Sequence, residues 1–398
     1  RSVIQPGDRV LLIMEDDVKF AGLLLDVVHE QGFKGIIAHT GEAGLGVARN
    51  FKPHAITLDL RMPDMDGWTL LDCLKHDVES RHIPVQIISA EDQAKRGLKM
   101  GALAYLRKPA TREELAASFG RLREYIDRSI KRLLIVEDDE IQRRSIEELI
   151  GGEDVETRSA GTGTEALEIL ARGGIDCVVL DLSLPDMSGL EFIQRVKERG
   201  DHAPRPPIIV YTGRELTRQE ETLLRKDAEG IIIKDALSPE RLLDETSLFL
   251  HRSPRQMPEA KRRMIQTGQK TDPALAGRIV FVVDDDVRNI FALTTVLEQM
   301  KMNVRYAQNG KEAVEFLKEN RDVDIVLMDI MMPEMDGYEA MRLIRKTEGL
   351  ERLPMIALTA KAMKGDRERC IEAGASDYIP KPVDSERLLS VIRVWLYR

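Results

Sequence analysis

Two acidic words recur three times in this sequence, and that repeat constrains the fold more than any other feature. The first word is an aliphatic run ending in acids: VLLIMEDD at 10–17, LLIVEDD at 133–139 and VFVVDDD at 280–286. The second follows each copy: LDLRMPDMDG at 58–67, LDLSLPDMSG at 180–189 and MDIMMPEMDG at 328–337. The separations Glu15 to Asp59, Glu137 to Asp181 and Asp284 to Asp329 are 44, 44 and 45 residues. Three word pairs at one spacing exclude coincidence, and they divide the 398 residues into three modules rather than one large core.

The repeat also sets the expected boundaries. Asp59 and Asp181 are 122 residues apart, Asp181 and Asp329 are 148, and the excess of 26 falls near residues 253–278. That stretch holds Pro254, Pro258, Gly268, Pro273 and Gly277 without apolar periodicity, and reads as a flexible linker. Residues 252–278 carry seven basic side chains against Glu259 and Asp272, about +5, which leaves about −14 on the remainder. The expected organisation is domain one at 1–129, domain two at 130–252, a basic linker at 253–277 and domain three at 278–398. The first junction differs, because Leu115, Phe119, Leu122, Ile126 and Ile130 form a helical stripe behind a capping box of Thr111 and Glu114. A semi-rigid helical connection is expected there. Residues 115–122 read first as the core face of a terminal helix. A homodimer seam through residues 115–130 is the alternative.

Composition excludes several classes. With 43% hydrophobic and 32% charged residues the chain is globular rather than disordered. No apolar run approaches the roughly 18–20 residues of a membrane span, and no signal peptide is visible, so a cytoplasmic protein without membrane contact is expected. The start at Arg1 suggests a fragment of something longer. A net charge of −9 argues against a general nucleic-acid surface. Cys73, Cys177 and Cys370 are far apart in sequence, which points to buried reduced thiols.

Each copy alternates short aliphatic strands with amphipathic helices. In the third, strands are predicted over 279–283, 304–307, 325–328, 355–358 and 377–379, and helices over 289–300, 311–320, 338–345, 365–373 and 385–396. Such βα alternation implies an α/β parallel sheet covered on both faces.

Both acidic words then lie at the carboxyl ends of strands, where open parallel sheets bind ligands. If those strands are neighbours the carboxylates converge, and a hard cation such as Mg²⁺ relieves their repulsion. A strand-end Asp beside such a cation is a candidate nucleophile toward phosphorus. Strand four of each copy ends in a hydroxyl residue (Ser89, Thr212, Thr359) and strand five in a lysine (Lys108, Lys234, Lys381). A hydroxyl and an ammonium can hold the remaining phosphoryl oxygens.

This pattern resembles the receiver domain of two-component response regulators, over about 370 of the 398 residues. The resemblance implies three flavodoxin-like (βα)5 doubly wound domains in tandem, with sheet order 2-1-3-4-5. It implies that Asp59, Asp181 and Asp329 accept a phosphoryl group from the phosphohistidine of a histidine kinase or histidine phosphotransfer protein. Mg²⁺ would bind Glu15 and Asp16, Glu137 and Asp138, and Asp284 and Asp285, completed by the phosphoacceptor Asp and the backbone carbonyls of Arg61, Ser183 and Met331. The hydroxyls and lysines would sense the phosphoryl group and reshape the face of helix four, strand five and helix five. The chemistry implied is self-phosphorylation with slow aspartyl-phosphate hydrolysis rather than turnover on a separate substrate. The stretches VDDDVRNIFAL at 283–293, IALTAKAMKGD at 356–366 and ASDYIPKP at 375–382 resemble receivers at the C-terminal end of hybrid histidine kinases. The kinase core itself is absent from the sequence. No DNA-binding, cyclase or phosphodiesterase pattern follows the third copy, so output is expected through protein contacts, through a relay partner or through parts of a longer protein outside this sequence.

The copies are not equal. Copy three carries the full pattern, including the switch aromatic Tyr378 and Lys381-Pro382. Copy one keeps Tyr105 and Lys108-Pro109, but Ser89 to Lys108 is 19 residues against 22 in the others. Copy two has Ile231 at the aromatic position and Lys234-Asp235 in place of Lys-Pro, which leaves the placement of Lys234 open. The alternative function is a kinase-binding scaffold in which only domain three is phosphorylated. A flavodoxin-like cofactor binder or phosphohydrolase is a third reading, disfavoured because no glycine-rich phosphate loop is present and the nucleophile word follows strand three rather than strand one.

Overall fold

The computed structural model describes residues 4–5, 7–198, 205–235, 238–269, 272, 274–360 and 366–396. It divides into two compact units, Arg1–Gln269 and Lys270–Arg398. Domain one runs β1 (Val10–Met14), α1 (Val18–Glu30), β2 (Lys34–Ala38), α2 (Gly41–Phe51), β3 (Ala55–Leu58), α3 (Gly67–His76), β4 (Val85–Ser89), α4 (Ala94–Lys99), β5 (Ala104–Arg107) and α5 (Arg112–Asp127). Domain two runs β6 (Lys131–Val136), α6 (Glu140–Ile150), β7 (Val155–Ala160), α7 (Gly163–Ala171), β8 (Cys177–Leu180), α8 (Gly189–Glu198), β9 (Ile208–Thr212), α9 (Arg218–Asp227), β10 (Gly230–Ile233) and α10 (Ser238–Phe249). A further helix, α11 (Glu259–Gln269), closes the first unit. Domain three runs β11 (Ile279–Val283), α12 (Val287–Gln299), β12 (Asn303–Ala307), α13 (Gly310–Glu319), β13 (Ile325–Asp329), α14 (Gly337–Arg345), β14 (Met355–Thr359), α15 (Asp366–Glu372), β15 (Asp377–Pro380) and α16 (Ser385–Leu396).

Each domain is a parallel five-stranded sheet: β2-β1-β3-β4-β5, β7-β6-β8-β9-β10 and β12-β11-β13-β14-β15. The near-continuous apolar strands are buried on both sides. In domain three Phe281 and Val283 face one core cluster, while Val280 and Val282 face the other, the period of two expected of a strand. Register decides the rest. Met14 pairs with Leu58, Val136 with Leu180 and Val283 with Met328, so the two acidic words leave neighbouring strands side by side.

The words also shape the turns that follow them. Their third acids, Asp17, Asp139 and Asp286, are the N-caps of α1, α6 and α12, accepting backbone N–H groups of the first turn. Asp66 and Asp336 cap α3 and α14 in the same way. Asp64 and Asp186 reach across to the N-termini of α2 and α7. Asp186 accepts from the Thr164 hydroxyl and the Thr164 and Gly163 amides, which hold its carboxyl at about 2.

The glycine that ends each second word is required by a close approach. The Gly67, Gly189 and Gly337 amides donate to Leu60, Leu182 and Ile330 carbonyls at 3.0, 3.0 and 3.1 Å. A Cβ there would stand 2.6 Å from Leu60 O, 2.8 Å from Leu182 Cα or 2.9 Å from Ile330 Cα. Alanine normally favours a helix over glycine. Here Gly337→Ala is expected to destabilise domain three, by about 2 kcal/mol. Urea unfolding of the whole chain, followed by hydrogen exchange in β11 and β13, checks the sign.

Two expectations about the junctions need correction. The stripe after Thr111 does begin with a capping box, and Leu115, Phe119 and Leu122 are buried in domain one's own core. The helix ends at Asp127, however, and exposed Ile130 lies outside it, so there is no continuous helix into β6, and Leu115, Phe119 and Leu122 are committed to domain one's own core. The expected linker carries a 3-10 turn at Pro254–Gln256 and then α11, and Met257 between them and Ile265 of α11 pack on Leu243 of α10. Arg252 is also tied down, by Asp154 and the Ile150 carbonyl. Residues 270, 271 and 273 of that linker, and 361–365 after the third hydroxyl, lie outside the described residues. The three cysteines are buried, and none of them is in a disulfide.

Candidate functional site

The three sites are built alike. The first acid of each pair, Glu15, Glu137 or Asp284, is buried at the end of the first strand. The second, Asp16, Asp138 or Asp285, is exposed. The central Asp59, Asp181 or Asp329 is buried one strand over. In each trio a carboxylate oxygen from every residue lies within 4.8 Å of the other two. The amide two residues beyond the central Asp donates back to it: Arg61 N at 3.2 Å, Ser183 N at 3.4 Å and Met331 N at 3.3 Å. Ser89, Thr212 and Thr359 are buried at the head of the fourth strand. Their carbonyls accept from the amides of Lys108, Lys234 and Lys381 at 2.7, 2.8 and 2.7 Å, which joins hydroxyl and lysine positions in one rim.

The lysines divide the sites into two kinds. Lys108 Nζ donates to Glu15 Oε2 at 2.8 Å and Asp59 Oδ2 at 2.6 Å. Lys381 Nζ bridges Asp284 Oδ2 and Asp329 Oδ2, both at 2.8 Å. Lys234 instead donates to Glu137 Oε2 at 2.9 Å and Gln142 Oε1 at 2.5 Å. It makes no ion pair with Asp181, whose Oδ1 is buried without a hydrogen-bond partner. The peptide bonds Lys108-Pro109 and Lys381-Pro382 are cis. The aromatic residues also differ. Tyr105 donates to the Glu91 carbonyl at 2.5 Å, and Tyr378 packs on domain three's core, where domain two has Ile231.

The electrostatics follow from burial. Desolvation pushes the Glu15, Glu137 and Asp329 carboxyls above their ordinary range against the pull of the neighbouring lysine, and the second buried acid adds to the rise. Burial pulls Lys108 and Lys381 down, but hydrogen bonds to the two acids outweigh it, and both end above the usual ammonium range. Three convergent oxygen donors with buried negative charge suit a hard divalent cation. The unpartnered Asp181 oxygen fits that need most directly, since a buried carboxylate oxygen without a partner is costly.

Asn289 was not anticipated. Its side-chain amide donates to both oxygens of Asp284, at 3.0 and 3.2 Å, and orients that carboxylate. It stands five residues after the acid, one helical turn into α12. Gln142 holds the equivalent position in domain two, where it meets the lysine.

The response regulator receiver domain profile matches residues 11–119, 133–247 and 280–393, well over half of the chain. The chain belongs to the receiver domain family. It carries three of these domains in tandem, each on the flavodoxin-like parallel sheet, and its business is two-component signalling. Among its relatives is the signal transduction histidine-protein kinase BarA of Escherichia coli K12, 34% identical over 169 residues, which are 42% of this chain and 17% of BarA. Hybrid signal transduction histidine kinase I of Dictyostelium discoideum is 39% identical over 119 residues, 28% of this chain and 7% of that protein. The chain therefore spans a small part of the kinases it matches. A single-domain relative, the polar-differentiation response regulator DivK of Brucella anthropi, is 35% identical over 29% of this chain and 94% of its own length. Among solved structures, the receiver domain of a Pseudomonas aeruginosa sensor histidine kinase, with a magnesium ion in its active-site cleft, shares 36% identity. It covers 31% of this chain and 100% of that one, with a TM-score of 0.30. Among the described residues no helix is long and apolar enough to cross a membrane.

Proposed function

We propose that the chain is a phosphorelay receiver array in which Asp59, Asp181 and Asp329 each accept a phosphoryl group from a phosphohistidine. The observation that carries this reading is the threefold recurrence of one carboxylate trio, two acids buried and one exposed, beside one lysine and one hydroxyl. A carboxylate oxygen of the central Asp forms the new bond to phosphorus. The phosphorus–nitrogen bond to the donor imidazole breaks, and the ring keeps the electron pair and takes up a proton. Lys108 and Lys381 already bridge the acids and can follow the oxygens of the incoming group. Ser89, Thr212 and Thr359 supply a hydroxyl on the same rim. Glu15, Asp16 and Asp59 with the Arg61 carbonyl, and their counterparts Glu137, Asp138, Asp181 and Ser183, and Asp284, Asp285, Asp329 and Met331, would hold Mg²⁺. When bound, Mg²⁺ supplies neutralising charge for acids and phosphoryl oxygens together.

The donor is a histidine kinase or histidine phosphotransfer protein, and Val287, Phe291 and Met331 offer it an exposed apolar rim beside the domain-three acids. Domain two favours a second reading for itself alone. With Lys234 committed to Glu137 and Gln142, it fits a pseudo-receiver that binds without being phosphorylated. Mass analysis after incubation with a small acyl phosphate and Mg²⁺ separates the two. Three phosphoryl additions, all lost on chelation of the metal, support the array. Additions only at Asp59 and Asp329 assign domain two to the scaffold. No addition at Asp329 overturns the proposal.

A further inference from the structure

In the first unit, α10 is enclosed on three sides. Leu242 and Phe249, with Leu250 just beyond the helix, fill domain two's own core, and Leu243 meets Ile265 of α11 and Met257 just before it. The third side faces domain one. Arg81, between α3 and β4, forms an ion pair with Asp244 and donates a second hydrogen bond to its carbonyl at 3.4 Å. The Arg81 side chain is 4% exposed and that of Asp244 19%, so the pair is largely desolvated. Arg81 is braced from behind: buried Lys75 Nζ donates to the Arg81 and Ile83 carbonyls at 3.2 and 2.7 Å, and Ser80 Oγ to Leu74 O at 2.9 Å.

Beside this pair, domain one meets domain two through the end of α4. Lys99 Nζ, on the last residue of α4, donates to the Arg225 carbonyl in α9. Gly101, in the turn from α4 to β5, lies against the Leu248 side chain of α10, which a Cβ would meet at 3.3 Å. Tyr125 of α5 donates to the Leu250 carbonyl at 3.2 Å. The segment from Ser89 to Lys108 is the one shortened in this copy, and α4 is left with six residues. The shortened element is therefore the one that touches domain two. It leads directly into β5 and Lys108, while α9 and α10 flank β10 and Lys234.

We propose that this seam couples the acid sites of domains one and two, so that domain two acts as a built-in regulator of domain one instead of presenting α10 to an outside protein. The state of Asp181 is passed through α9 and α10 to the α4–β5 turn and so to Lys108 and Asp59. By reciprocity the state of Asp59 biases Asp181 equally. The inference rests on the receiver reading of both sites.

The test uses the full chain. The initial rate of phosphoryl incorporation at Asp59, from acyl phosphate and Mg²⁺, is compared between wild type and Asp181→Asn, each with and without Asp244→Asn. Asp244→Asn removes the charge of the seam pair but alters no acid-site residue, and Lys99→Ala opens the seam at a second point. With the seam intact, Asp181→Asn is expected to change the Asp59 rate about fivefold, and either seam variant should abolish that dependence. Equal Asp59 rates in all variants overturn the coupling. If Asp59 takes no phosphoryl group at all, the receiver reading of domain one fails, and the seam is judged by unfolding. One joint thermal transition for domains one and two, split or lowered by Asp244→Asn, supports it. Independent transitions with domain one unmoved by Asp244→Asn overturn it.

Discussion

Asp329→Asn is expected to abolish phosphoryl incorporation in domain three while raising its thermal midpoint in the absence of divalent cation. The loss of reactivity is complete because an amide has no anionic oxygen to attack phosphorus, and the neighbouring buried acid is already engaged: Asn289 and Lys381 hold Asp284. The gain in stability comes from the same burial. Asp329 is almost fully enclosed, and desolvation outweighs Lys381 in setting its pKa, which lies above the ordinary carboxylate value. A carboxyl with a raised folded-state pKa contributes stability below its unfolded pKa and loses it as pH rises through the folded one. Above its folded-state pKa the wild type carries that loss, and Asn, a neutral isostere, does not suffer it. The advantage of Asp329→Asn should therefore shrink as pH falls toward the unfolded carboxyl value near 4, and shrink again when Mg²⁺ is added to the wild type. Mass analysis reads the first effect and thermal unfolding at two pH values the second. A variant that still gains mass in domain three would show that Asp329 is not the acceptor.

The sequence made the sheets legible because buried parallel strands are short, aliphatic and repeated. In domain three 279–283 and 385–396 coincide with β11 and α16, and the other described bounds shift by two residues or fewer. The convergence of the acids was legible too, since it follows from strand ends and order alone. Three things were not. Nothing in the sequence sets the third acid of the first word apart from the two before it, yet Asp17, Asp139 and Asp286 serve as helix caps, a role that depends on the turn behind them. Helix α11 lacks a recognisable stripe because Ile265 alone is buried among its described side chains, and its neighbouring prolines and glycines read as a linker. The seam between domains one and two depends on pairs such as Arg81 and Asp244, 163 residues apart, which no local periodicity can signal. The substitution of Pro by Asp after Lys234 did mark domain two as different, but which groups the lysine reaches instead is a matter of side-chain geometry.

That difference between lysines has a measurable consequence. Lys381→Ala is expected to destabilise metal-free domain three by about 3 kcal/mol, and Mg²⁺ should restore most of the loss. Lys381 Nζ sits 2.8 Å from both Asp284 and Asp329, whose side chains are 0% and 5% exposed. Without the ammonium, two buried carboxylates face each other with only the Asn289 amide and backbone N–H groups to compensate. Removing one partner of a buried ion pair leaves the full desolvation penalty of the other, and here the penalty falls on two groups. A divalent cation held by the same oxygens replaces the missing charge, so the variant's stability should climb with Mg²⁺ concentration more steeply than the wild type's. Lys234→Ala in domain two should cost less, because Lys234 reaches one buried acid rather than two, and Asp181 already stands without it. Urea unfolding of the full chain, with hydrogen exchange resolving β11 and β13 from β6 and β8, measures both. Equal stability of Lys381→Ala and wild type without metal would show that the lysine is not the counter-ion of the pair. A deficit that Mg²⁺ leaves untouched would show that the carboxylate trio is not where the cation binds.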